Sequence, residues 1–164
     1  MDENMKYAIV YSSKTGNTKM LADVIRQTLE EKDIIYFGEP CKQALEADQI
    51  YVGFWTDKGR CNDEIADFLK TLDNKNIFLY GTAGFGQDSA YFEKIIEKTQ
   101  KYMNDTNTVI DTYMCQGKMP MSVRDRYEKM PHIPNIKKLI ENFDQALSHP
   151  DAQDLEHLKE KIEA

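Results

Sequence analysis

Short apolar runs alternate with amphipathic stretches along most of this chain. Tyr7-Ala8-Ile9-Val10-Tyr11 is apolar throughout, as expected for a strand buried on both faces. Leu21, Val24, Ile25 and Leu29 then recur at helical spacing. The same alternation predicts further strands at residues 34–37, 50–55, 77–80 and 109–115, and helices at residues 65–72, 92–103 and 136–147, with a short helix at residues 41–47.

Five β–α repeats predict a parallel sheet with helices on both faces, joined by right-handed crossovers. Two segments fall outside the repeats. In residues 116–133 we expect at most a short helix, with Ser122 as its cap. We expect residues 1–148 to form the domain and residues 149–164 to form an acidic helical tail that is solvated and frays.

The loop after the first strand carries the clearest chemical signal. Ser12-Ser13-Lys14-Thr15-Gly16-Asn17-Thr18 joins a buried strand to a helix, where open α/β sheets bind ligands. Helix-start amides and hydroxyl donors suit a phosphate monoester, and Gly16 lets the backbone turn. The loop lacks the GxxxxGK[ST] and GxGxxG patterns of nucleotide sites, and Gly84-Phe85-Gly86 after the fourth strand lacks a third glycine. An ordinary turn with a helix cap is the alternative interpretation.

Ser13-Lys14-Thr15-Gly16-Asn17-Thr18 resembles the FMN-phosphate loop of flavodoxins, and the resemblance covers about residues 5–148. It implies a three-layer, doubly wound α/β fold with five strands in the order 2-1-3-4-5, one bound FMN and electron transfer. Lys14 departs from the usual small or hydroxyl residue. The resemblance is to the short flavodoxins of anaerobic bacteria.

The resemblance also implies two loops that would hold the flavin ring. The first contains Trp55, Thr56, Asp57, Lys58 and Gly59; the second contains Thr82, Ala83, Gly84, Phe85, Gly86 and Asp88. Phe85 aligns with the aromatic residue that stacks on the ring in the family, where Tyr or Trp is commoner. Trp55 is either a second stacking residue or part of the core.

Three residues of these loops have alternative interpretations. Gly59 would let the Lys58-Gly59 peptide turn a carbonyl toward N5 of the flavin, or it simply completes a turn. Asp57 and Asp88 would oppose negative charge on the reduced flavin and lower its potential, or they are ordinary solvated carboxylates.

Other reactive side chains give little signal. His132, His149 and His157 have no second ligand at metal-binding spacing. Cys41, Cys61 and Cys115 form no CxxC pair, and Cys115 is expected to be a buried structural thiol. No metal site or side-chain catalyst is predicted.

Composition narrows the possible partners. The chain has 164 residues and a formal net charge of −7, which disfavours nucleic acid or an anionic membrane and suits a basic protein partner. It has no signal-peptide pattern or long apolar run, so we expect a cytoplasmic protein. The stretch from Met114 to Met121, followed by Arg124, Arg126, Tyr127 and Lys129, is basic and methionine-rich, typical of a docking surface or of a loop that covers the sheet edge.

The sequence therefore predicts an FMN-binding electron carrier that serves redox partner proteins, an electron donor and an acceptor reductase. Residues 114–129 are similar to those of clostridial flavodoxin-like proteins, which implies a partner reductase, with bilirubin or another tetrapyrrole as a candidate acceptor. An FMN-dependent NAD(P)H:quinone-type oxidoreductase is the alternative. A binding module whose flavin site has lapsed is a third interpretation.

Overall fold

The computed structural model describes residues 5–86 and 88–164. Its strands are β1 (Tyr7–Tyr11), β2 (Ile34–Gly38), β3 (Gln49–Asp57), β4 (Arg60–Cys61), β5 (Asn76–Ala83) and β6 (Thr108–Gln116). Its α-helices are α1 (Asn17–Thr28), α2 (Asp63–Leu69), α3 (Ser89–Gln100), α4 (Met121–Glu128), α5 (Ile136–Ala146) and α6 (Ala152–Glu163), and short 3₁₀ helices span Glu31–Asp33 and Lys42–Glu46.

The sheet is doubly wound. Its parallel strands run in the order β2-β1-β3-β5-β6, and β4 pairs antiparallel with β3 outside this order. Apart from β4, a two-residue strand that the apolar pattern did not reveal, this is the predicted order 2-1-3-4-5. The predicted α/β fold with helices on both faces is therefore confirmed.

Successive side chains of the buried strands point to opposite faces of the sheet, so they contribute to two hydrophobic cores, one on each face. One core joins Val52 and Phe54 of β3 to Ile65 of α2 and Ile95 of α3. The other joins Ile9 of β1 and Tyr80 of β5 to Leu21 of α1 and Leu158 of α6. The carboxyl ends of β1, β3, β5 and β6 consequently meet at one edge, where the loops of interest lie.

The C-terminal region differs from the sequence-based expectation. The prediction that the helix near residues 136–147 closes the β–α series was wrong, because α6 packs with α1 against the sheet and α5 packs with α4. The expectation that Ser122 caps a helix was also wrong, since α4 begins at Met121 with Pro120 at its cap position.

Helix α6 packs its apolar stripe on the sheet, unlike the solvated tail that was expected. Leu158 is fully buried, and Leu155 and Ile162 pack on the same core. Asp151 accepts a hydrogen bond from the Asp154 amide, and the Asp154 carboxylate accepts one from the Asp151 amide, so a capping box fixes the start of the helix. The boundary at residue 148 stays a prediction. Among the described residues, no helix is both long and apolar enough to cross a bilayer.

Candidate functional site

A cavity of about 370 Å³ opens at the carboxyl ends of the parallel strands. From the predicted site it is lined by Lys14, Thr15, Asn17, Trp55, Thr56, Asp57, Thr82, Ala83, Gly84 and Phe85. It is also lined by Gly117, Lys118, Met119, Pro120, Val123, Arg126 and Tyr127. The three predicted loops thus meet around one space, together with a fourth segment.

The loop before α1 is shaped by Gly16, whose φ of +88° lies in the left-handed region that favours glycine. The first amides of α1 have no acceptor within the helix, so they can bind an anion. The Lys19 amide donates to Ser13 Oγ at 3.3 Å, which folds the loop around the helix start.

Three predicted phosphate ligands already have protein partners. Thr18 is fully buried, and its hydroxyl donates to the Phe54 carbonyl at 3.0 Å. Thr15 Oγ1 and Asn17 Nδ2 both donate to the Lys118 carbonyl, at 3.2 and 2.8 Å. Thr18 therefore anchors the loop to β3, while Thr15 and Asn17 tether it to the segment after β6.

The loop after the third predicted strand is a hairpin. Thr56 and Asp57 extend β3 and pair with Cys61 and Arg60 of β4. Lys58 and Gly59 form its two-residue turn, with φ of +56° and +82°. Neither turn residue lines the cavity, whereas Thr56 Oγ1 donates to the Thr82 carbonyl at 2.8 Å and ties the hairpin to β5.

Asn62 positions this hairpin, a role that the sequence analysis missed. Its side chain donates to Ser12 Oγ at 2.9 Å and accepts from the Trp55 amide at 3.3 Å. The Asn62 amide donates back to the Trp55 carbonyl at 3.0 Å. Because Asn62 is only 3% exposed, these bonds hold Trp55 against the loop before α1. The only sequence signal was a polar residue at the start of α2.

Aromatic residues from three separate segments line the cavity. Trp55 is half-buried, and Lys14 Nζ lies 4.9 Å from its ring centroid in a cation–π contact. Phe85 is 41% exposed, and Tyr127 lies on α4. Trp55 is thus a cavity residue and not part of either hydrophobic core.

Residues 117–127 form the wall that sequence reasoning did not assign to the site. The Gly117 amide donates to the Ala83 carbonyl at 2.9 Å, and a Cβ at Gly117 would lie 2.5 Å from Asn17 Nδ2. A Cβ at Gly84 would lie 2.6 Å from Met119 Sδ. A Cβ at either position would displace the Asn17 or the Met119 side chain, so these glycines let the segment pack closely onto both neighbouring loops.

The other predicted site residues lie around the cavity without lining it. They are Ser13, Gly16, Thr18, Lys58, Gly59, Gly86 and Asp88. Asp88 caps α3 by accepting from the Ala90 amide at 2.9 Å. A Cβ at Gly86 would meet the Gln116 side chain at 2.7 Å. Gln87, within the second predicted loop, lies outside the described residues.

The cavity offers hydrogen-bond donors and one hydrogen-bond acceptor that has no partner among the described residues. No described residue donates to Asn17 Oδ1, which is buried and carries the expected cost of an unsatisfied polar atom. A polyhydroxylated chain with an anionic end and a flat apolar head would satisfy this acceptor, the α1 amides and the aromatic walls together. The lining thus fits a flavin mononucleotide.

Other grooves are larger but lack this combination. A groove of about 500 Å³ between residues 40–45 and 64–71 has no residue of the loop before α1 in its lining. Two more lie elsewhere on the described chain. One, of about 470 Å³, lies between α3 and β6. The other, of about 640 Å³, lies near Tyr7 and the end of α6, at the opposite edge of the sheet. Neither is lined by a residue of the loop before α1, so neither has the helix-start amides.

His149 is less isolated than its sequence context suggested. Its Nδ1 lies 2.6 Å from Asp154 Oδ2 and 3.7 Å from Asp151 Oδ2. The two carboxylates already form the α6 capping box, which accounts for the cluster. Cys115 is buried as predicted, and burial raises the pKa of its thiol well above the usual value.

The chain is similar to a known protein family and to individual proteins of known sequence. Residues 8–163 match a family described as Flavodoxin domain. The chain is 41% identical over 172 residues to the flavodoxin-like domain-containing protein BilS of Clostridium symbiosum strain WAL-14163, covering 92% of this chain and 90% of the relative. It is 33% identical over 159 residues to BilS of Clostridioides difficile strain CD3, with the same coverage.

A solved structure supports the fold. The flavodoxin of Streptococcus pneumoniae TIGR4 superposes with a TM-score of 0.57 at 21% identity, covering 96% of this chain and 94% of that one.

Proposed function

Because this chain belongs to the flavodoxin family, we propose that its cavity binds one FMN non-covalently and that the protein carries electrons between redox partners. The observation that carries this proposal is the single cavity that joins the loop before α1 to the aromatic residues Trp55 and Phe85. When bound, FMN supplies the redox chemistry; the protein binds it, orients it and excludes water.

The phosphate end is assigned to the loop Ser13–Thr18. The amides at the start of α1 supply N–H donors and a positive dipole end, and Gly16 allows the loop to curl. Ser13 adds a hydroxyl donor at the rim, the Thr15 hydroxyl holds the loop to the Lys118 carbonyl, and the Lys14 ammonium adds positive charge. Asn17 Oδ1 is the acceptor for a hydroxyl group of the ribityl chain.

The ring end is assigned to the walls formed by Trp55, Phe85 and Tyr127. Flat aromatic surfaces stabilise a flat heterocycle by stacking and by keeping water from its faces. The backbone of residues 56–57 and 82–85, which line the cavity, supplies polar groups for the ring edge. Gly59, at φ +82°, gives the Lys58-Gly59 peptide the freedom to reorient its carbonyl toward that edge.

A more specific proposal concerns the protein that accepts electrons from the flavin. We propose a partner reductase that acts on bilirubin or another tetrapyrrole. The similarity to two clostridial flavodoxin-like proteins across 92% of the chain supports a shared role with those proteins. An electron carrier needs no side-chain acid or base, because the bound FMN supplies the redox chemistry.

Flavin titration tests the proposal. The purified chain should stay yellow after incubation with FMN and removal of the excess. A Thr15→Ile/Gly16→Val variant should bind FMN at least about tenfold more weakly, because it loses the loop curvature at Gly16 and the bond that holds Thr15 to the Lys118 carbonyl. Thr108→Ile, at the exposed start of β6, is the matched control. Unchanged FMN affinity in the double variant, or a chain that stays colourless with FMN, would overturn the proposal.

Two further measurements separate the assignments. Riboflavin lacks the phosphate, so the double variant should lose its preference for FMN over riboflavin if the loop binds phosphate. Stopped-flow mixing of the FMN-loaded chain with NADH or NADPH should leave the flavin oxidised unless a separate reductase is present. Rapid bleaching by the nicotinamide alone would identify the protein as an NAD(P)H-dependent oxidoreductase instead.

A further inference from the structure

The mouth of the cavity has a charge opposite to that of the chain. The chain carries a formal net charge of −7, which favours a basic partner when charge is considered as a whole. The cavity lining, however, contains the cations Lys14, Lys118 and Arg126 and one carboxylate, Asp57. The folded chain thus concentrates positive charge where the flavin is proposed to lie.

These three cations are available to a partner. All three side chains are exposed, and no ion pair within the described parts of the chain joins any of them to a carboxylate. Arg124 on the same helix as Arg126 differs, because it pairs with Asp144 and Glu128. Unpaired, exposed charges act over about one Debye length, roughly 8–10 Å at physiological salt.

Apolar surface accompanies the charge. Phe85 in the cavity wall is 41% exposed, and Met121, directly after the lining residue Pro120, is 57% exposed. Protein interfaces combine such aromatic and methionine contacts at the centre with a charged rim. A rim of cations complements a partner that presents carboxylates.

We propose that Lys14, Lys118 and Arg126, around Phe85, form a cationic docking rim for the acidic face of a redox partner protein. The rim positions that partner at the exposed side of the flavin cavity. This inference rests on the proposed function, since the bound flavin is the group with which a docked partner exchanges electrons. Local charge, and not the net charge of −7, then governs the encounter.

Stopped-flow electron transfer to two cytochromes tests the rim. FMN-loaded protein is reduced anaerobically with dithionite and freed of excess reductant. Each two-electron-reduced flavin passes one electron to each of two ferric haems and releases its protons to solvent. The probes are cytochrome b5, which is acidic, and mitochondrial cytochrome c, which is basic, at ionic strengths from about 20 to 200 mM.

The rate with cytochrome b5 should fall as salt rises. At low salt and saturating FMN, Lys118→Gln/Arg126→Gln should lower the ratio of the cytochrome b5 rate to the cytochrome c rate at least about fivefold. The ratio cancels any effect of the two substitutions on the flavin that both reactions share. Lys32→Gln/Lys159→Gln removes the same charge from exposed positions on other elements and should change both reactions little.

Three results would overturn the proposal of a cationic docking rim. The first is a cytochrome b5 rate that rises with salt, and the second is an equal effect of the two double variants. The third is a salt-sensitive reaction with ferricyanide but not with cytochrome b5, which would identify a site for small anions. A chain that stays colourless with FMN would instead refute the proposed function and the docking role together.

Discussion

Gly53 of β3 lies opposite Tyr80 of β5, and the Tyr80 ring occupies the space that a Cβ at Gly53 would need. An ideal Cβ there would lie 2.3 Å from two ring carbons. The next pair is reversed, since Gly81 of β5 makes room for the Phe54 ring of β3. Tyr80 also donates to the Val10 carbonyl at 3.1 Å, so its ring locks three neighbouring strands together.

Gly53→Ala should therefore destabilise the fold by about 3 kcal/mol, near the upper end of the usual cost of overpacking a core. Urea denaturation measures the change. Tyr80→Leu removes the ring, so Gly53→Ala should cost much less in that background than in the wild type. Simple additivity of the two changes would contradict the packing relationship.

Leu158→Ala on α6 should lower the free energy of unfolding by about 2–5 kcal/mol, because it leaves a cavity in a fully buried position. His157→Ala, at the exposed neighbouring position, is the control. Thermal or urea denaturation compares them.

Truncation after residue 148 should be more severe still, because it uncovers the core around Ile9 and Leu21. A truncated chain with wild-type stability would show that residues 1–148 fold independently and that α6 is dispensable.

Asp144→Asn should loosen α4 from α5. Arg124 donates to both carboxylate oxygens of Asp144, at 2.8 and 3.1 Å. Faster hydrogen exchange in Met121–Glu128 at pH 7 is the expected result. Glu141→Gln removes an exposed charge from α5, the helix that carries Asp144, and should leave hydrogen exchange in α4 unchanged.

The same contact should depend on pH. The hydrogen bonds from Arg124 lower the pKa of Asp144 below its usual value near 3.8. Because the folded pKa is lower than the unfolded one, the contact stabilises α4 at neutral pH. This stabilising contribution decreases when the pH drops below the usual pKa of Asp144. It is lost as the pH passes through the lower pKa of the folded state. The NMR signal of the Arg124 Nε–H group should report this loss, and a loss already complete at pH 6 would contradict it.

Alkylation at pH 8 should modify one cysteine quickly. Cys41 is exposed, whereas burial raises the pKa of Cys61 to about 11 and that of Cys115 well above its usual value. The two buried thiols should react only after denaturation. Mass spectrometry after iodoacetamide treatment counts the modified residues, and Cys41→Ser should abolish the fast reaction.

The local pattern was sufficient for the strands other than β4 and for the loop before α1, whereas the resemblance to flavodoxins supplied the strand order and the two ring loops. The apolar run Tyr7–Tyr11 and the helical spacing in α1 are short-range features, and the structure contains both elements. Ten of the predicted site residues line one cavity because the loops that carry them follow parallel strands, whose carboxyl ends meet at one edge.

The pattern of apolar and polar residues could not identify hydrogen-bond partners that lie far apart in the sequence. The Lys118 carbonyl accepts from Asn17, 101 positions away, and Asn62 bonds to Ser12 across 50 positions. No periodicity links such positions. The pattern also could not decide between α5 and α6 as the helix that closes the fold, because both have an apolar stripe and only packing selects between them.

The sequence by itself determined the alternation of strands and helices and the hydroxyl-rich turn before α1, because backbone propensity and side-chain periodicity act over a few residues. Tertiary structure alone decided that residues 117–127 wall the cavity and that Lys14, Lys118 and Arg126 share its mouth. Charge is summed along a chain but acts through space, so an acidic sequence can fold to present a cationic rim.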